Sequence, residues 1–277
     1  MTSLLPDIHI NSQNISFNTF NPFSYCAVVP ALSSDPHLIN CLQALFTQSV
    51  FSDYQILLVL SHFLMSRDYR LYHSLRQFAK RYPLIKFDFY LFSNRLNGSV
   101  ARNFGFSKCL SRYAGLCDSD DIWKQSKVHD ELLLLKNCMH PNSILGSPFE
   151  FNASNKISFV KILKSYAVHR RRDFPHTSTW VIPRSIFSNI LFDESLERFQ
   201  DLDYILRLSS SNCTLIDLGV NQVTFNRCMT QNKIKLQSFA TVYKFAFNNL
   251  INYPHLFCLF IAVYYFYPRL RYFYLAP

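Results

Sequence analysis

Three carboxylates fall within four positions at Asp118-Ser119-Asp120-Asp121, entered directly from the apolar run Ala114-Gly115-Leu116-Cys117. Neighbouring like charges raise one another's pKa and repel, so acids at the end of a buried strand call for a compensating charge. A divalent cation supplies it: hard ions such as Mg2+ or Mn2+ take oxygen ligands, usually one or two carboxylates plus phosphate oxygens of a substrate. The same acids could instead form a solvated turn capping the next helix, because aspartate favours caps and first turns. Upstream, Gly98-Ser99-Val100-Ala101-Arg102-Asn103-Phe104-Gly105 carries a small-residue loop into a helix with an arginine and an amide at its mouth. Backbone N–H groups, the helix dipole and a bidentate guanidinium together suit a phosphate.

These residues need a scaffold that brings them to one edge, and the pattern of elements provides it. Tyr25 to Val29 reads as a strand stopped by Pro30, and Asp35-Pro36 as the cap and first position of a helix. Leu38, Leu42, Leu45 and Phe46 share one helical face. Tyr54 to Leu60 (YQILLVL) is continuously apolar, as in a strand buried on both faces. Arg67 to Arg81 reads as a helix with Leu71, Leu75 and Phe78 inward, Leu84 to Phe92 as a third strand, and Lys127 to Lys136 as a further helix. Alternating strands and helices predict an α/β fold, a mostly parallel sheet flanked by helices. Ligands of such sheets bind beyond the carboxyl ends of the strands, where the loop at Pro30 and the acids from Asp118 both lie.

The chain has 277 residues, enough for one such domain and an appendage. Hydrophobic residues make up 49% and aromatics 16%, which excludes disorder as the default. A net charge of +10 suits anionic partners: phosphorylated substrates, nucleic acid or an acidic membrane surface. The 8 cysteines include no C-x-x-C pair and no His/Cys cluster at metal spacing, which argues against zinc. Cys26, Cys41, Cys117 and Cys258 sit in apolar patterns as buried thiols do, pointing to a reducing cytoplasm. The start of the chain shows neither a basic nor an apolar signal region.

The order G-x-x-x-A-R-N-x-G, strand, D-S-D-D-x-W, K-x-x-x-E over residues 98–131 resembles the family 2 glycosyltransferases, inverting enzymes of the GT-A fold, a Rossmann-like α/β architecture. The resemblance implies a nucleotide-diphosphate sugar as donor, a glycan or lipid-linked acceptor, and Mg2+ or Mn2+ as cofactor. It implies that Asp118 and Asp120 hold the metal, and that Pro30, Arg102, Asn103 and Asp118 contact the nucleotide sugar. A second segment, Phe192-Asp193-Glu194-Ser195-Leu196 followed by Gln200-Asp201-Leu202-Asp203 and Arg207-Leu208, is similar to the family's F-D-E-x-L…E-D-x-D-x-x-x-R-L. By that match Asp201 is the general base, with Gln200 in place of the usual glutamate. Asp203 and Arg207 read as an i,i+4 helix pair. His176-Thr177-Ser178-Thr179 opens a stretch like the family's acceptor-side strand, making His176 a candidate to reach the acceptor. A bacterial surface polysaccharide or lipopolysaccharide is the implied product class.

Several positions depart from the pattern. The second strand ends in Val59-Leu60-Ser61-His62-Phe63 without the family's carboxylate, leaving Ser61 or His62 to bond a base edge. After a last strand pair, Thr214 to Leu218 and Val220 to Phe225, comes Asn226-Arg227-Cys228 where the family often has a histidine ligand. The basic run His169-Arg170-Arg171-Arg172 is either a solvated face or a loop closing over diphosphate, and 141–165 reads as less ordered. Leu256 to Tyr267 is apolar and aromatic, but twelve residues cannot cross a bilayer needing about twenty. It suits peripheral contact with an anionic membrane, or packing on the domain. The division expected is 1–22 as a loosely attached extension, 23–226 as the catalytic domain and 227–277 as a C-terminal helical extension. A degenerate, non-catalytic sugar-nucleotide-binding or scaffold protein of the same fold is the alternative. A nucleic-acid binder is disfavoured, since no module of that kind is present.

Overall fold

A computed structural model of the chain describes residues 8–11, 24–49, 53–137, 143–146, 176–197, 199–211, 213–217 and 222–225. Its strands are β1 (Ile8–Asn11), β2 (Tyr25–Leu32), β3 (Tyr54–Ser61), β4 (Lys86–Leu91), β5 (Tyr113–Leu116), β6 (Asp121–Trp123), β7 (Ser143–Gly146), β8 (Val181–Pro183), β9 (Thr214–Asp217) and β10 (Val223–Phe225). Its helices are α1 (Leu38–Phe46), α2 (Met65–Arg81), α3 (Gly98–Lys108), α4 (Lys127–Asn137), the single turn α5 (Arg184–Phe187) and α6 (Gln200–Ser210). Eight strands form one sheet in the order β1-β4-β3-β2-β5-β8-β7-β9, and β6 pairs with β10 in a second. The run β4-β3-β2-β5 is parallel throughout, as the alternation of elements predicts.

All eight residues of β3 are buried, which is what a continuously apolar strand in mid-sheet requires. Side chains alternate between two cores. Cys26, Val28, Leu57 and Val59 face Ala101, Phe104 and Phe106 of α3. Ala27, Val29, Ile56 and Leu58 face Leu38, Leu42 and Leu45 of α1 and Leu75 of α2. Helix α3 sits close on β2 because Gly105 has no side chain: a Cβ there would lie 2.3 Å from Val28 Cγ1.

The structure corrects several boundaries. Pro30 does not stop β2, which runs to Leu32 in register with Ser61. Pairing with β5 ends at Val28↔Leu116, and Pro30 shares the edge orientation of Val28. Its missing N–H therefore falls beyond the end of β5, where the ladder needs no donor. Asp35 does not cap α1, which begins at Leu38. Its carboxylate instead accepts from the His37 N–H at 2.9 Å and from the Ser119 hydroxyl, tying the approach to α1 to the acid turn. Within the extension at 1–22, Ile8–Asn11 forms an antiparallel edge strand on β4. The two last strands do not pair together: β9 extends the main sheet beside β7, while β10 crosses to β6. Part of 141–165 is likewise ordered as β7.

The basic run at 169–172, Cys258 and the C-terminal stretch 227–277 lie outside the described residues. Among those described, no helix is long and apolar enough to cross a membrane. Cys26, Cys41 and Cys117 are buried free thiols, as their apolar surroundings imply.

Gly105→Ala forces a methyl group into Val28 and separates α3 from the sheet. We expect a loss of about 1–3 kcal/mol, the usual range for overpacking, read as a lower urea midpoint, with recovery in Gly105→Ala/Val28→Ala.

Candidate active site

The acids occupy a turn between β5 and β6, closed by the Asp121 N–H donating to the Asp118 carbonyl at 3.0 Å. Three segments converge on it. From one side comes β8, antiparallel to β5 with Gly115 opposite Val181. Carrying that register past the strand ends sets Ser178 against Asp118, and the bonds follow: Asp118 N–H donates to Ser178 Oγ at 2.9 Å. Thr177 Oγ1 donates to Asp118 Oδ2 at 2.9 Å, and Ser178 Oγ to Asp121 Oδ2 at 2.5 Å. Beneath, Trp123 Nε1 donates to the Ser178 carbonyl at 3.0 Å, and Lys127 Nζ lies 4.1 Å from the Trp123 ring centre. Lys127 and Glu131 form a fully buried ion pair, with the Tyr25 hydroxyl donating to Glu131 Oε2 at 2.7 Å. The K-x-x-x-E spacing is thus a pedestal under the turn.

From α3 comes Arg102. Its guanidinium is almost buried, donates from Nη2 to Asp118 Oδ1 at 2.6 Å and lies 5.4 Å from the Phe192 ring centre. Asn103 faces the other way. Its Oδ1 accepts from the Phe192 N–H at 2.9 Å, while Nδ2 donates to the Phe192 carbonyl and to Glu194 Oε1, each at 2.9 Å. Both amide hydrogens are then in use, and the side chain ties α3 to residues 192–194. Asn97 joins in, its side chain accepting from Val100 N–H and donating to the Glu194 carbonyl, each at 2.8 Å.

From the third side comes α6. Phe199, just before it, has φ 61°, in the left-handed region that bulky residues avoid. Gln200 Oε1 accepts from Arg102 Nη1 at 3.2 Å, so one guanidinium joins the acid turn to the helix that carries Asp201. The Asp201 carboxylate is half-buried, and its Oδ1 accepts from the Leu202 N–H at 2.9 Å. Asp203 and Arg207 form the expected i,i+4 pair at 2.8 Å, and Arg207 also donates to the Leu191 carbonyl at 2.6 Å. Pro30 is half-buried at the carboxyl end of β2. At the end of β3, Ser61 Oγ is spent on the Ala31 carbonyl at 3.2 Å. The exposed His62 has φ 58°, and its carbonyl accepts from Ser33 Oγ at 2.7 Å and from Arg67.

Charge is distributed unevenly over the acids. Burial would raise the Asp118 carboxyl, but the Arg102 charge, helped by His176 and the Thr177 hydroxyl, holds it below the usual carboxylate range. Burial and the adjacent Asp118 push Asp120 up. Burial pushes Asp121 up to about 6, with Asp118 and Asp120 adding to the rise against the Ser178 bond and His176. The ligand atoms of Asp118, Asp121 and His176 lie within 4.8 Å of one another, with the His176 ring 45% exposed. Two carboxylates and an imidazole fit a hard or borderline divalent ion. Sequence reasoning pairs Asp118 with Asp120. The structure also gathers Asp121 and His176 around Asp118, and the signal that could have found them is the β5/β8 register.

The profile of glycosyl transferase family 2 matches residues 26–196. The chain is 27% identical over 197 residues to the amylovoran biosynthesis glycosyltransferase AmsB of Erwinia amylovora, covering 66% of this chain and 63% of that protein. Among solved structures, S. aureus TarS in complex with UDP-GlcNAc superposes with a TM-score of 0.58 at 12% identity, over 82% of this chain and 66% of that one. The mannosyltransferase PcManGT of Pyrobaculum calidifontis, in complex with GDP-Man and Mn2+, gives 0.54 at 12% identity, over 74% of this chain and 57% of that one. These likenesses are of fold, the GT-A type.

Asp121 makes ligand-free stability pH-dependent. Its folded pKa lies above the unfolded value of 3.8, so its contribution is present below that value and lost as pH rises through about 6. Relative to Asp121→Asn, the wild-type urea midpoint should fall between about pH 4 and pH 6 and level off above about pH 7.

Proposed function

The chain belongs to glycosyl transferase family 2, and on that premise we propose that it moves a sugar from a nucleotide-diphosphate sugar to a glycan or lipid-linked acceptor, with inversion. A bacterial surface polysaccharide or lipopolysaccharide is the product class that the relationship to a polysaccharide-biosynthesis enzyme favours. The observation that carries the reading is the Arg102 bridge from Asp118 to Gln200, which ties the acid turn to the helix start bearing Asp201.

In this reading Asp201 takes the proton from the acceptor hydroxyl as that oxygen attacks the anomeric carbon. The bond from that carbon to the diphosphate oxygen breaks in the same displacement, so the configuration inverts and no covalent sugar–protein intermediate forms. Asp118 and Asp120, in the arrangement the motif implies, or Asp118, Asp121 and His176, which lie together, would hold Mg2+ or Mn2+. When bound, such an ion supplies Lewis-acid stabilisation of the charge developing on the leaving diphosphate. Arg102 lies beside the diphosphate position and sets the charge on Asp118. Asn103 holds residues 192–194 against the same site, and Pro30 floors the nucleoside end. Work at the cytoplasmic face of a membrane, with peripheral contact to anionic lipid, suits the basic charge of the chain.

Asp201→Asn should bind donor as the wild type does and lose about 10²–10⁴-fold in turnover, measured as sugar transfer from a panel of nucleotide sugars with Mn2+. Near-wild-type transfer would remove the base assignment. Absence of transfer and hydrolysis in the wild type across the panel, with donor still bound, would favour the non-catalytic alternative, to which Gln200 and the acid-free end of β3 lend weight.

Metal use is tested separately. Asp120→Ala, Asp121→Ala and His176→Ala should each weaken binding of Mn2+ alone. The ordering of their effects distinguishes the two ligand sets, because Asp120→Ala weakens binding most if the motif arrangement holds and least if the gathered trio does.

A further inference from the structure

Gln200 stands where the resemblance leads one to expect a glutamate, and its surroundings account for the amide. Its Oε1 accepts from Arg102 Nη1 at 3.2 Å, and its Nε2 donates to the Leu196 carbonyl at 2.9 Å. One end of the side chain therefore meets a donor and the other an acceptor, which an amide satisfies and a carboxylate does not. A glutamate would set oxygen against the Leu196 carbonyl and would turn towards the guanidinium. Arg102 meanwhile holds Asp118 at 2.6 Å, the shorter of its two bonds, as expected where both partners are charged. The backbone makes room for this meeting: a Cβ on Gly98 would lie 2.8 Å from both Arg102 Nη1 and Gln200 Oε1.

We propose that Gln200 is a positioning residue that reserves the Arg102 guanidinium for Asp118. Being neutral, it anchors Arg102 without competing for its charge. Asp118 then stays compensated, and the acid turn binds a divalent cation less tightly than it would with a carboxylate at position 200. The same contact ties the first turn of α6 to the acid turn. The charge allocation stands by itself, whereas its effect on turnover rests on the reading of Asp201 as base.

The experiment uses the full chain as wild type, Gln200→Glu, Asp118→Asn and the double variant. Without metal, Gln200→Glu should raise the urea midpoint of Asp118→Asn, where Arg102 has lost its carboxylate, and lower that of the wild type, where the guanidinium must now be shared. No rise in the Asp118→Asn background overturns the proposal. With Mn2+ alone, followed by the paramagnetic resonance of the free ion, Gln200→Glu should bind at least about threefold more tightly than wild type. Equal or weaker binding overturns it as well. A wild type that binds no Mn2+ would instead remove the metal from the proposed function and leave the urea comparison to decide. In transfer assays Gln200→Glu should lower kcat more than it changes the donor KM; the reverse split overturns the link to Asp201 alone.

Discussion

A guanidinium on the inner side of α3 carries a positive charge from the scaffold into the acid turn. Arg102 is nearly buried, and a buried charge is costly unless paired and hydrogen-bonded. It is stable there because Asp118 faces it from the end of β5 and Gln200 from the start of α6. Each partner in turn depends on the arginine. Without it Asp118 would lose the interaction that keeps it ionised beside two other acids, and the first turn of α6 would lose its hydrogen bond to α3. The close seat of α3 on Val28, allowed by Gly105, gives the arginine its reach.

Asp118, Asp120 and Asp121 show how one short turn sorts identical side chains into different states. Asp118 has an arginine and a threonine hydroxyl and is held ionised, while Asp121 has a serine hydroxyl and burial and is pushed up to about 6. The difference originates in strand register. Because β8 runs antiparallel to β5, the 3-10 turn Thr177–Thr179 must lie against the acids, and its hydroxyls face two of them. The buried Lys127–Glu131 pair and Trp123 then hold that turn from below. The result is three acids with the Arg102 guanidinium on one of them and the His176 imidazole beside two.

Much of the scaffold is legible in the chain because its signals are strong and local. A continuously apolar run such as 54–60 has few places to go but mid-sheet, and the stripe from Leu38 to Phe46 can only be an inward helix face. The Asp203–Arg207 pair follows from helical spacing alone. What is less legible depends on pairing between distant segments. Pro30 reads as a stop, yet whether a proline interrupts a sheet depends on where the neighbouring strand ends, and β5 ends first. Asn103 sits next to Arg102 in sequence, but successive helix residues face different directions, and its bonds to Phe192 and Glu194 depend on a segment some ninety residues away. Asp121 and His176 meet only through the β5/β8 register. Likewise β10 finds β6 instead of β9, a choice no local periodicity records.

The left-handed backbone at Phe199 follows from the same geometry. A large side chain at φ 61° costs of order 1–3 kcal/mol and persists only where the surroundings over-determine it. Two constraints do so here. The Phe199 side chain is buried in the core beneath α3 and α6 together with Phe192 and Leu196. One residue later, Gln200 must present one end of its amide to Arg102 and the other to Leu196. The strain is therefore concentrated at the residue that turns a packed core segment into the start of α6. It is offset by buried aromatic area on one side and a charged hydrogen bond on the other, and these contacts set the start of α6 from which Asp201 projects.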